Sequence, residues 1–343
     1  MLVRSLKIAA LVIGASFLLT ACDPPMPPEV KAALAEQSYT CVEGDTQLSA
    51  PPAVAAVAGD WQASVETNCP GMTISPVAKA APTVELQIGE VAEKICTPYA
   101  SVPYAVDGVV LAVKLTDITN VNLSAKTIEA IWSGSITNWD DPAIAELNPN
   151  FQMPATPISF GTELDQAKAK PFTDWLSRLA GHSILLSGGS VKLAAIPEGG
   201  LVLTSYSATT GLGLPMVGIS VGKGSEGVVP EVGSLNSAAS MYQAKSTNGI
   251  VSLTFNSKAK PIAPEGVDVA PAPYQAVSII NLNLCGVDSL KTRTAARYIL
   301  RQDSQGSLGL STVVGVPENL RIIALDAVSK GLPEPVITDA PAQ

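Results

Sequence analysis

Chemistry in this chain has few places to start. A Ser/His/Asp set would have to use His182, the one histidine in 343 residues, and a lone histidine is more often a surface or satisfied core residue than a general base. The adjacent carboxylates Asp140 and Asp141 could act as general acid and base. Asp141 precedes Pro142, however, which is the pattern of a helix cap followed by a first-turn proline, so capping accounts for one of the pair. No Cys-x-x-Cys is present and no second histidine, which disfavours a metal site. Gly222, Gly224 and Gly227 have dinucleotide-loop spacing, but Pro230 spoils the helix that should follow and no acid sits about twenty residues on. Lys168 and Lys170 could donate to an anion or simply form a solvated helix face. These observations argue against an enzyme, and no cofactor is expected.

The N-terminus carries its own chemistry. Arg4 and Lys7 precede an uncharged, largely apolar run from Ile8 to Leu19, and Thr20 and Ala21 lead to Cys22. This is the layout of a cleavable secretory signal, too short for a comfortable bilayer span. Leu19, Thr20, Ala21 and Cys22 resemble the lipobox of bacterial lipoproteins, which implies loss of residues 1–21 and acylation of Cys22. Pro24, Pro25, Pro27 and Pro28 then form a stiff spacer within a tether over 22–39. Cleavage would remove two basic residues and no acidic one, moving the formal charge from −9 to −11. With no basic block, nucleic acid is not a partner and membrane attachment must come from acyl chains, on the extracytoplasmic face.

Cys41, Cys69, Cys96 and Cys285 remain, an even number in an exported chain, and suggest two disulfides with three connectivities open. The elements around them alternate. A strand at Thr46 to Ala50 leads to a helix opened by Pro51 and Pro52, with Val54, Val57, Trp61 and Val65 on one face, and then to a strand at Met72 to Ser75. Val109 to Leu115 is a further strand. Ser124 caps a helix that turns Ile128 and Ile131 inward. A strand at Pro157 to Phe160 precedes a helix with Phe172, Trp175, Leu176 and Leu179 on its apolar side. Strands at Leu201 to Tyr206 and Met216 to Val221, a helix over Asn236 to Lys245, strands at Ile250 to Phe255 and Gln275 to Leu284, and helices over Ser289 to Arg301 and Pro317 to Lys330 complete the series. The first strand–helix–strand unit implies the start of a parallel sheet, and the alternation over the whole series implies an α/β fold.

From Val121 to Leu179 the chain resembles the phosphate-binding receptors of bacterial Pst-type ABC transporters. Ile131, Trp132, Gly134, Ile136, Trp139, Asp141, Pro142, Ile144, Leu147, Asn148, Pro149, Phe172, Thr173, Trp175 and Leu176 carry the match, and the likeness continues more loosely at Val102 to Leu115 and Tyr274 to Leu332. The resemblance implies a two-lobed type II periplasmic-binding-protein fold with two crossover strands. Lobe 1 would comprise 40–108 and 280–332, lobe 2 109–279, and 333–343 a tail. On that layout Cys41 pairs with Cys69, and Cys96, before the outgoing crossover, with Cys285, after the returning one.

The resemblance also locates a binding site and shows it altered. In the family, an Arg-Ser-Asp-Gly-Ser-Gly-Thr loop before the Phe-Thr helix offers the arginine and N–H donors that hold a buried oxyanion. This chain has Thr162, Glu163, Leu164, Asp165, Gln166, Ala167 and Lys168 there. Ser49, Gly161, Thr162, Gln166 and Lys168 are the expected ligand-binding residues, the solute being small and anionic or polar and not necessarily phosphate. An ABC permease would be the partner. The alternative is that the fold has lost its ligand and serves as a surface or protein-interaction module.

Overall fold

The computed structural model describes residues 30, 34–36, 38–77, 83–89, 96–186, 188–189, 191–222, 226–264 and 266–333. The signal segment and Cys22 lie outside them. Residues 39–333 lie in one compact unit, the body of the protein.

The chain enters the body as a parallel strand–helix–strand unit: β1 (Gly44–Ser49), α1 (Ala55–Asn68) and β2 (Met72–Val77), with Gly44 opposite Met72 and Ser49 opposite Val77. Pro52 opens a 3-10 turn that leads into α1. Val54, Val57, Trp61 and Val65 are all buried against the sheet, as their helical spacing requires. The short β3 (Leu86–Ile88) pairs parallel with β1. Next comes β4 (Pro98–Lys114), whose run of buried residues reflects packing on both faces.

The second lobe opens with β5 (Asn122–Ser124) and α2 (Ala125–Trp132), where Ser124 and Thr127 form a reciprocal capping box. Asp141 caps α3 (Pro142–Ala145) by accepting the Ala143 N–H at 2.9 Å. There follow β6 (Ser159–Thr162), α4 (Gln166–Ala180), β7 (Gly200–Ser205), α5 (Tyr206–Gly211), β8 (Gly218–Ser220) and α6 (Val232–Ala239). The core here is aromatic. Trp139, Phe172, Trp175 and Tyr274 are buried together with the aliphatic side chains of β4, α2 and β7.

The helix expected over Asn236 to Lys245 stops at Ala239, and the chain turns into β9 (Tyr242–Thr247) and β10 (Ile250–Phe255). Asn248 and Gly249 decide this: both have positive φ, 50° and 83°, and form the two-residue hairpin turn that Asn-Gly favours. Ile250 pairs with Ser101 of β4, so the hairpin extends the first lobe's sheet. Its side chains meet both cores: Tyr242, Ala244 and Leu253 pack on the aromatic cluster, and Val251, with Ala244 and Leu253, on the first lobe's.

The chain returns along β11 (Val277–Cys285) and ends with α7 (Leu290–Leu300), α8 (Gln302–Gly306), β12 (Val314–Gly315) and α9 (Glu318–Ser329). The first sheet runs β2-β1-β3-β11-β4-β10-β9. β4 belongs to both lobes. Its first half is antiparallel to β11, from Cys285 opposite Pro98 to Val277 opposite Gly108, and its second half to β7, from Val109 opposite Ser205 to Lys114 opposite Gly200. One crossover is thus β4 and the other the approach to β11, where the buried Tyr274 donates its hydroxyl to Val109 O at 3.0 Å. Disulfides join Cys41 to Cys69 and Cys96 to Cys285, both in the first lobe.

Candidate functional site

A cavity of about 350 Å³ lies where β4 passes from one lobe to the other. Its walls come from both sides: Asp107, Gly108 and Val109 from the middle of β4; Ser278, Ile279, Ile280, Asn281 and Asn283 from β11; Leu164, Lys168 and Ser205 from the second lobe; Gly89 and Ser101 from the first. The volume falls at the lower end of the roughly 300–1,000 Å³ typical of small-molecule sites.

Two polar side chains shape it. Asn283 is fully buried; its Oδ1 accepts from Ser101 Oγ at 2.7 Å, and its Nδ2 donates to Gln87 O at 3.2 Å and Gly89 O at 3.0 Å, which fixes the first lobe's wall. Asp107 joins the crossover to α5. One carboxylate oxygen accepts the N–H groups of Gly108 and Ser207, each at 2.9 Å, and the other accepts Ser207 Oγ at 2.6 Å. Burial pushes this carboxyl above the ordinary aspartate range, and the three donors pull it partly back. Since N–H groups can only donate, the bonded oxygen must be an acceptor.

Of the residues expected at the site, only Lys168 lines this cavity. Gly161 and Thr162 sit in β6, where the Thr162 N–H donates to Gly189 O at 3.1 Å and the Glu163 N–H to Leu203 O at 3.0 Å. The space a Cβ would need at Gly161 is taken by Val191 and Gly189 O. These backbone donors are spent inside the lobe. Gln166 is exposed in the first turn of α4, and Ser49 is half-buried at the end of β1. Neither is part of the cavity wall.

The carboxylates that stand in the family's anion loop have structural tasks. Asp165 caps α4 by accepting the Lys168 N–H at 2.9 Å, so a side-chain carboxylate occupies the helix end that an oxyanion would use. Glu163 accepts from the Leu193 N–H and from Thr204 Oγ1 at 3.0 Å. Lys170 is paired with Asp174 at 2.6 Å on the exposed face of α4, and His182 with Glu129 at 3.0 Å, also exposed. Ser220 stands in a Gly-x-Ser-x-Gly pentad, Gly218 to Gly222. It is a buried strand end whose hydroxyl has no partner, and no helix follows directly, so it lacks the strand-to-helix elbow of a hydrolase. The loop from Gly222 to Gly227 lies partly outside the described residues. Among those described, no group of three His, Cys, Asp or Glu side chains is placed to hold a metal ion.

Sequence reasoning missed Asp107, Ser205, Asn281 and Asn283. A signal for Asp107 exists: it is the one charge between Val102 and Val113 in a run that otherwise reads as a buried strand, and a buried charge is the informative exception in such a run.

Comparison with known proteins agrees with this architecture. The family model described as the PBP superfamily domain matches residues 81–264, more than half of the chain. Phosphate-binding protein PstS 2 of Mycobacterium tuberculosis is 23% identical over 203 residues, 54% of this chain and 55% of that protein. Phosphate-binding protein PstS 3 of Mycobacterium leprae is 34% identical over 68 residues, 20% of this chain and 18% of that protein. The chain thus spans about half the length, or less, of the curated relatives it matches. Among solved structures, a high-affinity periplasmic phosphate-binding protein (PfluDING) bound with phosphate superposes with a TM-score of 0.52 at 14% identity, covering 86% of this chain and 100% of that one. The ancestral soluble variant of the Human Phosphate Binding Protein gives a TM-score of 0.51 at 12% identity, covering 82% and 93%. With a two-lobed α/β fold of the periplasmic phosphate-binding kind and Pst-type phosphate-binding proteins as its sequence relatives, the chain belongs to the PBP superfamily.

Proposed function

We propose that this protein is a membrane-anchored extracytoplasmic solute receptor, acylated at Cys22, that closes its lobes on a small anionic or polar solute and presents it to an ABC permease. The observation that carries this reading is the cavity at the crossover, lined from both lobes and therefore sensitive to their closure. Two acyl chains account for stable attachment where one would be marginal. Cys22→Ser should release the domain from membranes or leave its precursor uncleaved; unchanged partitioning with full maturation would refute the anchor.

Phosphate is not the solute in the family's usual manner. Each charge-assisted hydrogen bond contributes roughly 1.5–3 kcal/mol, so the missing arginine and two further donors cost about 5–8 kcal/mol, on the order of four to six decades in Kd. Isothermal titration of a soluble domain begun at Tyr39 and dialysed free of phosphate tests this. Weak or absent heat with phosphate, together with thermal stabilisation by another solute, is expected; sub-micromolar phosphate binding would overturn it.

The interaction-module reading has one observation in its favour. Asp165 fills the α4 helix end, and the N–H groups of residues 162–163 are bonded within the lobe. Silence across a broad solute panel would support that reading instead.

A further inference from the structure

The one buried charge on the wall of the crossover cavity is negative. Asp107 is bonded to Gly108 and Ser207 alone, through three neutral donors, and forms no ion pair among the described residues. Its second oxygen accepts only the Ser207 hydroxyl and keeps capacity for a further donor. Ser278 stands directly opposite Asp107 in the β4–β11 ladder, which puts the two side chains on one face with their Cβ atoms about 4.5–5.5 Å apart. Asn281, farther along β11, lines the same cavity, and neither its amide nor the Ser278 hydroxyl bonds to a described residue. Each can accept. The neighbouring polar groups are already committed: Asn283 bonds Ser101 and the carbonyls of Gln87 and Gly89, and Ser205 bonds Ser207 and the Ala208 N–H.

Such a set of acceptors selects the charge of its solute. A carboxylate held out of water is costly without a cation, its cost is offset when one arrives, and an anion placed beside it is repelled. An ammonium brings three donors on one centre where a hydroxyl brings one, and its bonds to a carboxylate are roughly twice as strong as neutral ones. Val109, Leu164, Ile279 and Ile280 make the rest of the wall aliphatic. At about 30 Å³ per water the cavity has the volume of roughly a dozen waters, room for an amine of about five to ten heavy atoms. Lys168, the other charged residue on the wall, is exposed, so solvent screens it, and it takes no part in this assignment.

We propose that this cavity takes an aliphatic amine in its protonated form, the ammonium donating to Asp107, Ser278 and Asn281 and the hydrocarbon lying on the aliphatic wall. This assignment rests on the receptor reading above and narrows its polar solute to a cationic one.

The test is calorimetry and thermal shift on the domain from Tyr39 onward, with butylamine, isoamylamine and cyclohexylamine, the alcohols and N-acetyl derivatives of the same skeletons, isovalerate as an anion, and inorganic phosphate. At least one amine is expected to bind. Its alcohol and its N-acetyl derivative, which lack the charge, are each expected to bind about ten- to hundredfold more weakly. Asp107→Asn should remove the preference for amine over alcohol, and Ser278→Ala should weaken amine binding several-fold. Because the alcohols and acetyl derivatives probe the unaltered protein, the outcome stands even where Asp107→Asn impairs folding. Equal binding of amine and alcohol, amine binding unchanged in both variants, or binding confined to solutes without an amine would overturn the ammonium assignment and leave the receptor reading intact. Absence of any response to all of these probes and to a broad solute panel would overturn both.

Discussion

The two lobes are held together by different means. The second packs four buried aromatic side chains, Trp139, Phe172, Trp175 and Tyr274, around β4 and contains no disulfide among its described residues. The first has a more aliphatic core, in which Trp61 meets Tyr104 edge-on at 5.9 Å, and adds both disulfides and four buried arginines. Two of these arginines complete the ends of helices. Arg293 donates to Ala327 O and Val328 O at the end of α9, at 3.2 and 3.1 Å, and Arg321 donates to Leu300 O at the end of α7, at 3.1 Å. Buried carbonyls at helix C-termini need donors, and a guanidinium supplies several from one side chain while complementing the helix dipole. Asp288 and Glu318 bind the same guanidinium groups from the solvent side. Connectivity explains the contrast. The first lobe's sheet is assembled from segments separated by the excursion through the second, so its cohesion depends on links between residues far apart in the chain.

The disulfides give the largest expected effect. In the chain-entropy account a crosslink closing a longer loop removes more freedom from the unfolded chain. Cys96 and Cys285 are 189 residues apart and Cys41 and Cys69 only 28, so the bridges should contribute about 5 and about 3.5 kcal/mol respectively. Denaturant unfolding of the two double Cys→Ser variants checks the order. Equal or reversed losses would break the argument that the first lobe needs its long-range staple.

Trp175→Ala probes the other lobe. Trp175 is 2% exposed and meets Tyr274 edge-on at 4.7 Å, and truncating such a side chain costs about 3–5 kcal/mol. Hydrogen exchange should show the lost protection concentrated in α4, β6 and β7; equal loss in α7 and α9 would mean that the lobes unfold as one unit.

Acid should separate the lobes more gently. Hydrogen bonds from Arg293 hold the Asp288 carboxyl below the ordinary aspartate range. Burial pushes Asp303 up, but the hydrogen bonds and charge of Arg301 outweigh it and the net shift is also downward. For a carboxyl lowered in the folded state, the stability it provides is present above the unfolded value, about 3.9, and is lost as pH falls through the folded one. Asp107 has the opposite sign: its raised value means that ionisation costs stability as pH rises through it. Exchange measured at pH 3 and pH 6 should therefore show α7, α8 and their surroundings loosening first in acid. Uniform loosening would sink this assignment of the acid response to Asp288 and Asp303.

Much of the fold was legible because its signals are local. Ser124 and Asp141 cap their helices by bonding to N–H groups two or three residues away. The face formed by Val54, Val57, Trp61 and Val65 follows from helical periodicity, and the first parallel unit from the order of its elements. The hairpin at Tyr242 to Phe255 was not legible as one, although Asn248 and Gly249 announce it, because the helical pattern before it, taken alone, extends past Ala239. The site was less legible. The substitutions in the anion loop were visible, but their consequence, Asp165 capping α4 and Glu163 bonded to Leu193 and Thr204, depends on where the loop folds.

The sequence by itself determined most of the elements, the α/β alternation and the departure of residues 162–168 from the family's pattern, since caps, periodicity and residue chemistry act over a few positions. Tertiary structure alone decided that β6 spends its N–H groups inside the lobe and that the 242–255 hairpin joins the first sheet. It alone also brings Asp107 to Ser207, 100 residues later in the chain, and both Asp107 and Lys168 to one cavity. Such contacts form between residues with no local constraint on one another. They are set by how two sheets share β4, and no short-range pattern encodes that.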